Sequence, residues 1–145
     1  MANSICLSPN GQYLRREAKS SAAGILPGHF LERGTNGQVA VDSTADGKPS
    51  VLRVADINIG DAGDITRAYT DGENVHYVEL VPGNYVTLRV GASQTITVEG
   101  ELASAGDGTV KTPAVAGTGV LFIADEAVTT GVGESAFVRA IVANF

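Results

Sequence analysis

The sequence predicts a single, loop-rich, all-β domain, and two observations support this prediction. The 145-residue chain repeats one phrase, aliphatic-aliphatic-Pro-Gly-(His or Asn)-aromatic, at residues 25–30 and 80–85. Proline fixes φ at about −65° and glycine accepts positive φ, so each phrase turns the chain tightly into a new strand. Around these phrases, Asn-Gly or Asp-Gly pairs begin at residues 10, 36, 46, 71 and 107, which leaves little room for long helices.

Between these turns, alternating or continuous apolar residues predict eight strands. The strands lie near residues 25–32, 38–42, 50–56, 75–80, 85–90, 95–102, 118–125 and 135–143. In the fifth strand the even-numbered residues are apolar and are expected to face inward, whereas Thr87 and Arg89 face outward. The eighth is apolar on both faces except at Arg139, which indicates a central strand. Residues 56–65 are rich in Asp and Gly, so they fit a surface loop with at most one short helix.

Residues 1–24 show no sustained hydrophobic period and are predicted to form an N-terminal arm, with residues 25–145 as one β-rich body domain. The segment 14–23 could make about two helical turns that stop at Gly24, but isolated helices shorter than about 12–15 residues are marginal in water. An extended conformation held by a partner is the alternative.

Charge is distributed unevenly along the chain. Arg15, Arg16 and Lys19 outnumber Glu17, so the arm carries +2, whereas the remaining residues carry −8. An acidic body repels nucleic acid and anionic lipid, so neither a nucleic acid nor a membrane is an expected partner. The basic arm is expected to face either solvent or an acidic protein surface. Every apolar stretch is far shorter than the ~20 residues of a membrane-spanning helix.

The sequence predicts no enzyme, no cofactor and no metal site. His29 follows a turn and His76 lies in a strand, positions that favour structural or surface roles over catalysis. Cys6 is the only cysteine, so zinc lacks its usual ligands and no intrachain disulfide can form. Residues 131–136 match Gly-x-Gly-x-x-Ala, but a dinucleotide site needs a helix there and an acidic residue about 20 residues later. With no basic-then-apolar leader, synthesis in a cytoplasm is expected.

Five short phrases of the chain occur in a distinctive order. They are the basic, Ala-rich opening at 15–23, Ile-Leu-Pro-Gly-His-Phe-Leu-Glu at 25–32 with Gly-Gln-Val at 37–39, Ile-Thr-Arg-Ala-Tyr-Thr-Asp-Gly-Glu-Asn-Val at 65–75, Leu-Val-Pro-Gly-Asn-Tyr at 80–85 and Glu-Gly-Glu-Leu-Ala-Ser-Ala-Gly-Asp-Gly-Thr-Val-Lys at 99–111. This order resembles the capsid decoration, or cement, proteins of tailed bacteriophages. Residues 112–119 depart from that family, because they form a shorter and plainer stretch than expected.

The resemblance implies a small β-barrel or β-tulip body with an extended N-terminal arm and no catalytic residues. It also implies a homotrimer that binds the major capsid protein at three-fold and quasi-three-fold positions and stabilises the phage head. Such a protein is made in the bacterial host cytoplasm and resides on the outer surface of the capsid in the virion. The residues of the arm expected to bind the capsid are Ile5, Leu7, Tyr13, Leu14, Arg15 and Arg16.

Two alternatives come from other functional classes. A β-rich ligand-binding or adhesin module on a phage particle fits the all-β class, although the absence of Trp disfavours a surface on which sugars stack. An enzyme subunit or a small-molecule-binding β-barrel is disfavoured because no nucleophile and base are paired in the sequence.

Overall fold

The computed structural model describes Ile5, residues 14–57 and residues 64–143. All regular elements within these residues are strands, which confirms the predicted all-β class. The strands are β1 Leu14–Lys19, β2 Phe30–Arg33, β3 Val39–Val41, β4 Leu52–Ala55, β5 Asn74–Leu80, β6 Tyr85–Val90, β7 Thr95–Ile96, β8 Glu101–Ser104, β9 Val110–Lys111, β10 Phe122–Ala124, β11 Val128–Thr129 and β12 Ala136–Val142. None of the described residues belongs to a helix that could span a membrane.

The first five strands form an antiparallel sheet in the order β1-β5-β4-β2-β3. Its register aligns Arg16 with Tyr77, Tyr77 with Ala55 and Leu31 with Val41. A parallel bridge between Ser20 and Val39 connects the end of β1 to β3, the opposite edge of the same sheet. The sheet therefore curls until its two edges meet at that end.

Five later strands close into a small barrel in the order β10-β12-β6-β9-β8, which confirms the expected barrel body. Neighbouring strands are antiparallel except β6 and β9, which pair in parallel at Val90 and Val110. β12 lies between β10 and β6, as its two-sided apolar sequence predicts, and Arg139 is exposed. A separate two-stranded ribbon pairs β7 with β11.

The curled sheet lies between two hydrophobic cores, because alternate residues of its strands point to opposite faces. In β5, Val78 and Leu80 pack into the barrel core, whereas Val75 and Tyr77 pack into a second core inside the curl. Phe30 from the sheet meets Phe122 from the barrel edge to face, with ring centroids 6.0 Å apart. Full burial of a large apolar side chain contributes about 1.5–3 kcal/mol, so such contacts bind the sheet firmly to the barrel.

The N-terminal residues differ from the predicted separate arm. β1 pairs with β5 along its whole length, and the backbone of Ser21 donates a 2.9 Å hydrogen bond to Val39. Ile5 is fully buried in the barrel core, and its carbonyl accepts a 2.7 Å hydrogen bond from the Thr87 amide. The structure thus places residues 14–21 and Ile5 within the folded body, because their backbone groups find partners there.

Each predicted strand has a counterpart in the structure. The strand at 85–90 has the predicted bounds, the strand predicted at 75–80 begins one residue earlier, and most of the others are shorter. The predicted strand 25–32 begins only at Phe30, since the Pro-Gly turn precedes it, and the predicted strand 95–102 divides into β7 and β8 around a turn at Glu99, where φ is 63°. The short helix considered within 56–65 falls largely on residues outside those the structure describes.

Candidate functional site

The residues predicted to bind the capsid do not form one group. Leu14, Arg15 and Arg16 are consecutive and exposed at the start of β1, and these three residues are called the β1 surface below. Ile5 is buried in the barrel core, so its side chain is not part of this surface. Leu7 and Tyr13 lie outside the described residues.

β1 is an edge strand with exposed side chains. Among the described residues, β1 is the terminal strand of the five-stranded sheet. Its first residue, Leu14, is apolar and yet 51% exposed. Only Ala18 of this strand packs against a hydrophobic core. An edge strand presents backbone N–H and C=O groups to which another chain can add a strand. β1 therefore combines a backbone edge with one exposed apolar side chain.

Arg15 forms an ion pair with Asp56, whose side chain is only 4% exposed. The other carboxylate oxygen of Asp56 accepts a 2.8 Å hydrogen bond from the Ile57 amide, and its carbonyl accepts one of 2.8 Å from the hydroxyl of Tyr69. Burial raises the pKa of Tyr69 to about 12, so this hydroxyl remains a neutral donor. Removing Arg15 would leave a buried carboxylate without its cation, so this arginine has a structural role in addition to any contact with a partner.

Two more side-chain contacts fasten β1 to β5. Arg16 pairs with Glu79, and Glu17 Oε1 lies 3.3 Å from His76 Nδ1. A solvent-open groove of about 280 Å³ between β1 and β5 is lined by Arg15, Arg16, Glu17, Asp56, His76 and Tyr77. β1 is thus held by its backbone ladder, by two ion pairs and by the contact of Glu17 with His76 more than by apolar burial.

The two histidines have structural surroundings. His29 Nδ1 accepts a 3.0 Å hydrogen bond from the Leu26 amide, and burial together with the nearby Arg89 lowers the pKa of His29 to about 4. A neutral imidazole that accepts a backbone hydrogen bond fixes a turn. His76 faces Glu17, as described above. Within the described ranges no three His, Cys, Asp or Glu side chains gather closely enough to hold a metal ion.

Arg89 has a larger structural role than its outward position in a strand predicts. Arg89 faces out of the barrel as predicted, but the first Pro-Gly turn covers it. Its Nε donates a 2.7 Å hydrogen bond to the Pro27 carbonyl and its Nη2 donates one of 2.6 Å to the Ile65 carbonyl. The guanidinium lies 4.6 Å from the ring centroid of Phe137. Arg89 therefore joins the turn to the barrel, a role that an arginine at an outward position of a strand does not signal.

Comparison with known proteins finds a similar fold among the solved structures. No family model and no curated protein matches the chain. Among solved structures, the N base of the head fibre protein gp8.5 of bacteriophage phi29 is similar, with a TM-score of 0.59. The likeness covers 91% of this chain and 95% of that chain at 14% sequence identity. The two chains share a fold over nearly their whole compared lengths.

Proposed function

We propose that this protein is a structural protein of a bacteriophage virion that binds the outer surface of the head. The observation that carries the proposal is the fold shared with the N base of a head fibre over nearly all of both chains. The order of the short phrases, which resembles capsid decoration proteins, supports the same conclusion independently. No residue is assigned a catalytic role.

The partner in this proposal is the major capsid protein, bound at three-fold and quasi-three-fold positions by a homotrimer. A head filled with DNA is under outward pressure. A protein that bridges several capsid subunits adds binding free energy that must be overcome before the lattice opens. The useful property is contact area, so the task requires no enzymatic site.

The β1 surface is the proposed contact with the capsid. Leu14 offers an exposed apolar anchor, and the outer edge of β1 can receive a strand from a capsid subunit. Arg15 and Arg16 add positive charge, although each already pairs with an acidic residue of this chain. Leu14 is therefore the residue whose change tests the contact with least disturbance of the fold.

The test is co-sedimentation of purified protein with expanded heads that lack it. Leu14→Asp is expected to weaken binding by about tenfold, equivalent to about 1.4 kcal/mol, since it places a carboxylate at an apolar contact. Val132→Asp is the matched control, because Val132 is 94% exposed in the turn between β11 and β12. Equal binding by the two variants would reject the β1 surface.

Removal of the whole N-terminal segment is a poorer test. It would take Ile5 out of the barrel core and uncover the edge of β5, so lost binding could reflect lost folding. Failure of the wild-type protein to bind heads, together with selective binding on a glycan array, would instead favour the adhesin alternative.

A further inference from the structure

A second groove lies in the half of the curled sheet that does not contain β1. It is bordered by β2, by β4 and by the loop that joins β3 to β4, and it has a volume of about 390 Å³ open to solvent. Three cationic side chains, Arg33, Lys48 and Arg53, line it. This concentration of positive charge stands out on a chain whose net charge is −6.

Arg53 is the unusual member of this group. Its Nε is shielded from solvent, yet this N–H has no hydrogen-bond partner. The cross-strand neighbours of Arg53 are Leu31, which offers no acceptor, and Glu79, which pairs with Arg16. A buried donor without an acceptor costs stability, so a native fold that keeps one calls for an explanation. Because Arg53 lines the groove and is only half-buried, an acceptor that enters the groove and draws the guanidinium towards it is such an explanation.

The two acidic residues of the groove are engaged elsewhere. Both carboxylate oxygens of Glu32 accept hydrogen bonds from the Ser43 hydroxyl, at 3.0 and 3.1 Å. Asp42 is buried and accepts a hydrogen bond from the Ser104 hydroxyl. Neither residue neutralises Arg53 through an ion pair in the described structure. Arg53 is thus a cation of the groove with one N–H donor that meets no acceptor among the described residues.

We propose that this groove is a carboxylate-binding site that receives an Asp or Glu side chain from an acidic segment of a partner protein. A guanidinium presents parallel N–H donors that match the two oxygens of a carboxylate. A singly charged carboxylate group fits better than a doubly charged phosphate group, because Glu32 and Asp42 flank the cations at the point where the group would enter. The site itself does not depend on head binding; only the identification of the partner as the capsid protein rests on the proposed function.

The probe is a capped hexaglutamate peptide, titrated into the full-length protein at low salt and followed by amide chemical shifts. The wild-type protein is expected to bind it, with the largest shifts in the loop between β3 and β4. Arg53→Met should weaken binding by about fivefold or more, because it removes the bidentate donors. Arg139→Met is the matched control, since it removes the same charge from an exposed ion pair on the barrel and should change binding by less than roughly twofold.

The unfolding temperature is a second readout, because replacing a purely structural arginine would lower it. If Arg53 is retained for binding, Arg53→Met should unfold at the same temperature as the wild-type protein or a higher one, because a buried donor without an acceptor is removed. Arg53→Lys keeps the charge but loses the planar donor pair, so it should also bind hexaglutamate more weakly.

The outcomes are distinct. Weaker peptide binding by both Arg53 variants with retained stability supports the site, whether or not heads are bound. Absence of peptide binding by the wild-type protein, or equal binding by Arg53→Met and Arg139→Met, overturns it. Peptide binding without any head binding would keep the groove and reject the proposed function.

Discussion

The two Pro-Gly turns share one hydrogen-bond pattern and differ in their surroundings. In the first, the Leu26 amide donates to His29 Nδ1 at 3.0 Å, and the His29 amide donates back to the Leu26 carbonyl at 3.0 Å. In the second, the Val81 amide donates to Asn84 Oδ1 at 3.0 Å, and the Asn84 amide donates back to the Val81 carbonyl at 3.1 Å. Imidazole and amide thus serve as equivalent acceptors in the same turn.

The surroundings give the turns different roles. The amide of Gly28 donates to the Ala55 carbonyl at 2.8 Å and its carbonyl accepts from the Arg89 amide at 3.1 Å, so the first turn is fixed between sheet and barrel. The second turn makes its tertiary hydrogen bonds to one strand of the barrel, from the Gly83 amide to the Val142 carbonyl at 3.1 Å, and its Val81 is 57% exposed. A local sequence pattern can therefore specify a turn, while tertiary packing decides whether that turn is a simple connection or a joint between two halves of a domain.

The largest expected effect is at the arginine that holds the first turn. Arg89→Ala should lower the free energy of unfolding by about 3–4 kcal/mol, because two charged hydrogen bonds and a cation–π contact are lost together. Arg139→Ala on the neighbouring strand removes only an exposed ion pair and should cost at most about 1 kcal/mol. Urea unfolding of both variants measures the difference. Similar losses would mean that Arg89 does not join the turn to the barrel.

The first turn should also make the protein sensitive to acid. His29 has a pKa of about 4 in the folded protein against 6.5 for an unperturbed histidine. Between these values the unfolded chain binds more protons than the folded one. Stability should therefore fall by up to about 3 kcal/mol as the pH drops from 6.5 to 4, and be fully present above 6.5.

His29→Asn is the control for this prediction. Asn84 shows that an asparagine can supply the same acceptor, so the variant should keep the turn and lose the part of the pH dependence that His29 contributes. Unfolding free energies from pH 7 to pH 4 compare the two proteins. The same slope in both would show that the acid sensitivity arises from other groups, such as Glu73, whose pKa is held below its usual range by the Thr70 amide and Arg67.

A smaller difference is expected at the glycines of the two turns. Gly28 and Gly83 have φ of 89° and 92°, so alanine is strained at either position. A Cβ at Gly28 would also lie 3.1 Å from Phe137 Cε1, whereas one at Gly83 would meet nothing within 4 Å. Gly28→Ala should cost about 2 kcal/mol and Gly83→Ala about 1 kcal/mol. Thermal unfolding checks the order, and an equal loss would place both turns in equivalent surroundings.

The local sequence predicted the turns and those strands that have an apolar face. Alternation identified β6, a run that is apolar on both faces identified β12, and the Pro-Gly phrases identified both turns. β1 was missed because Arg15, Arg16, Glu17 and Lys19 leave it without an apolar face, and its pairing depends on backbone contacts with β5. Ile5 was assigned to the arm because the residues beside it in sequence do not indicate a buried position. Its carbonyl is hydrogen-bonded to Thr87, which is distant in sequence.

The candidate sites could be predicted only in part. The exposed positions of Leu14, Arg15 and Arg16 agree with a basic segment that faces outward, but their ion pairs with β5 and Asp56 arise from tertiary structure. The cationic groove has no signal in sequence. Arg33 and Arg53 come from different strands, so only the folded chain brings them to one groove. The unpartnered Nε of Arg53 is likewise visible only in the structure.

Cryo-electron microscopy of phage heads with and without the purified protein tests the central proposal most directly. The proposal requires additional density on the outer surface at three-fold and quasi-three-fold positions, with about three copies at each site. β1 should lie on the side that faces the capsid. Heads that show no added density after incubation with saturating protein, or density only inside the shell, would contradict it.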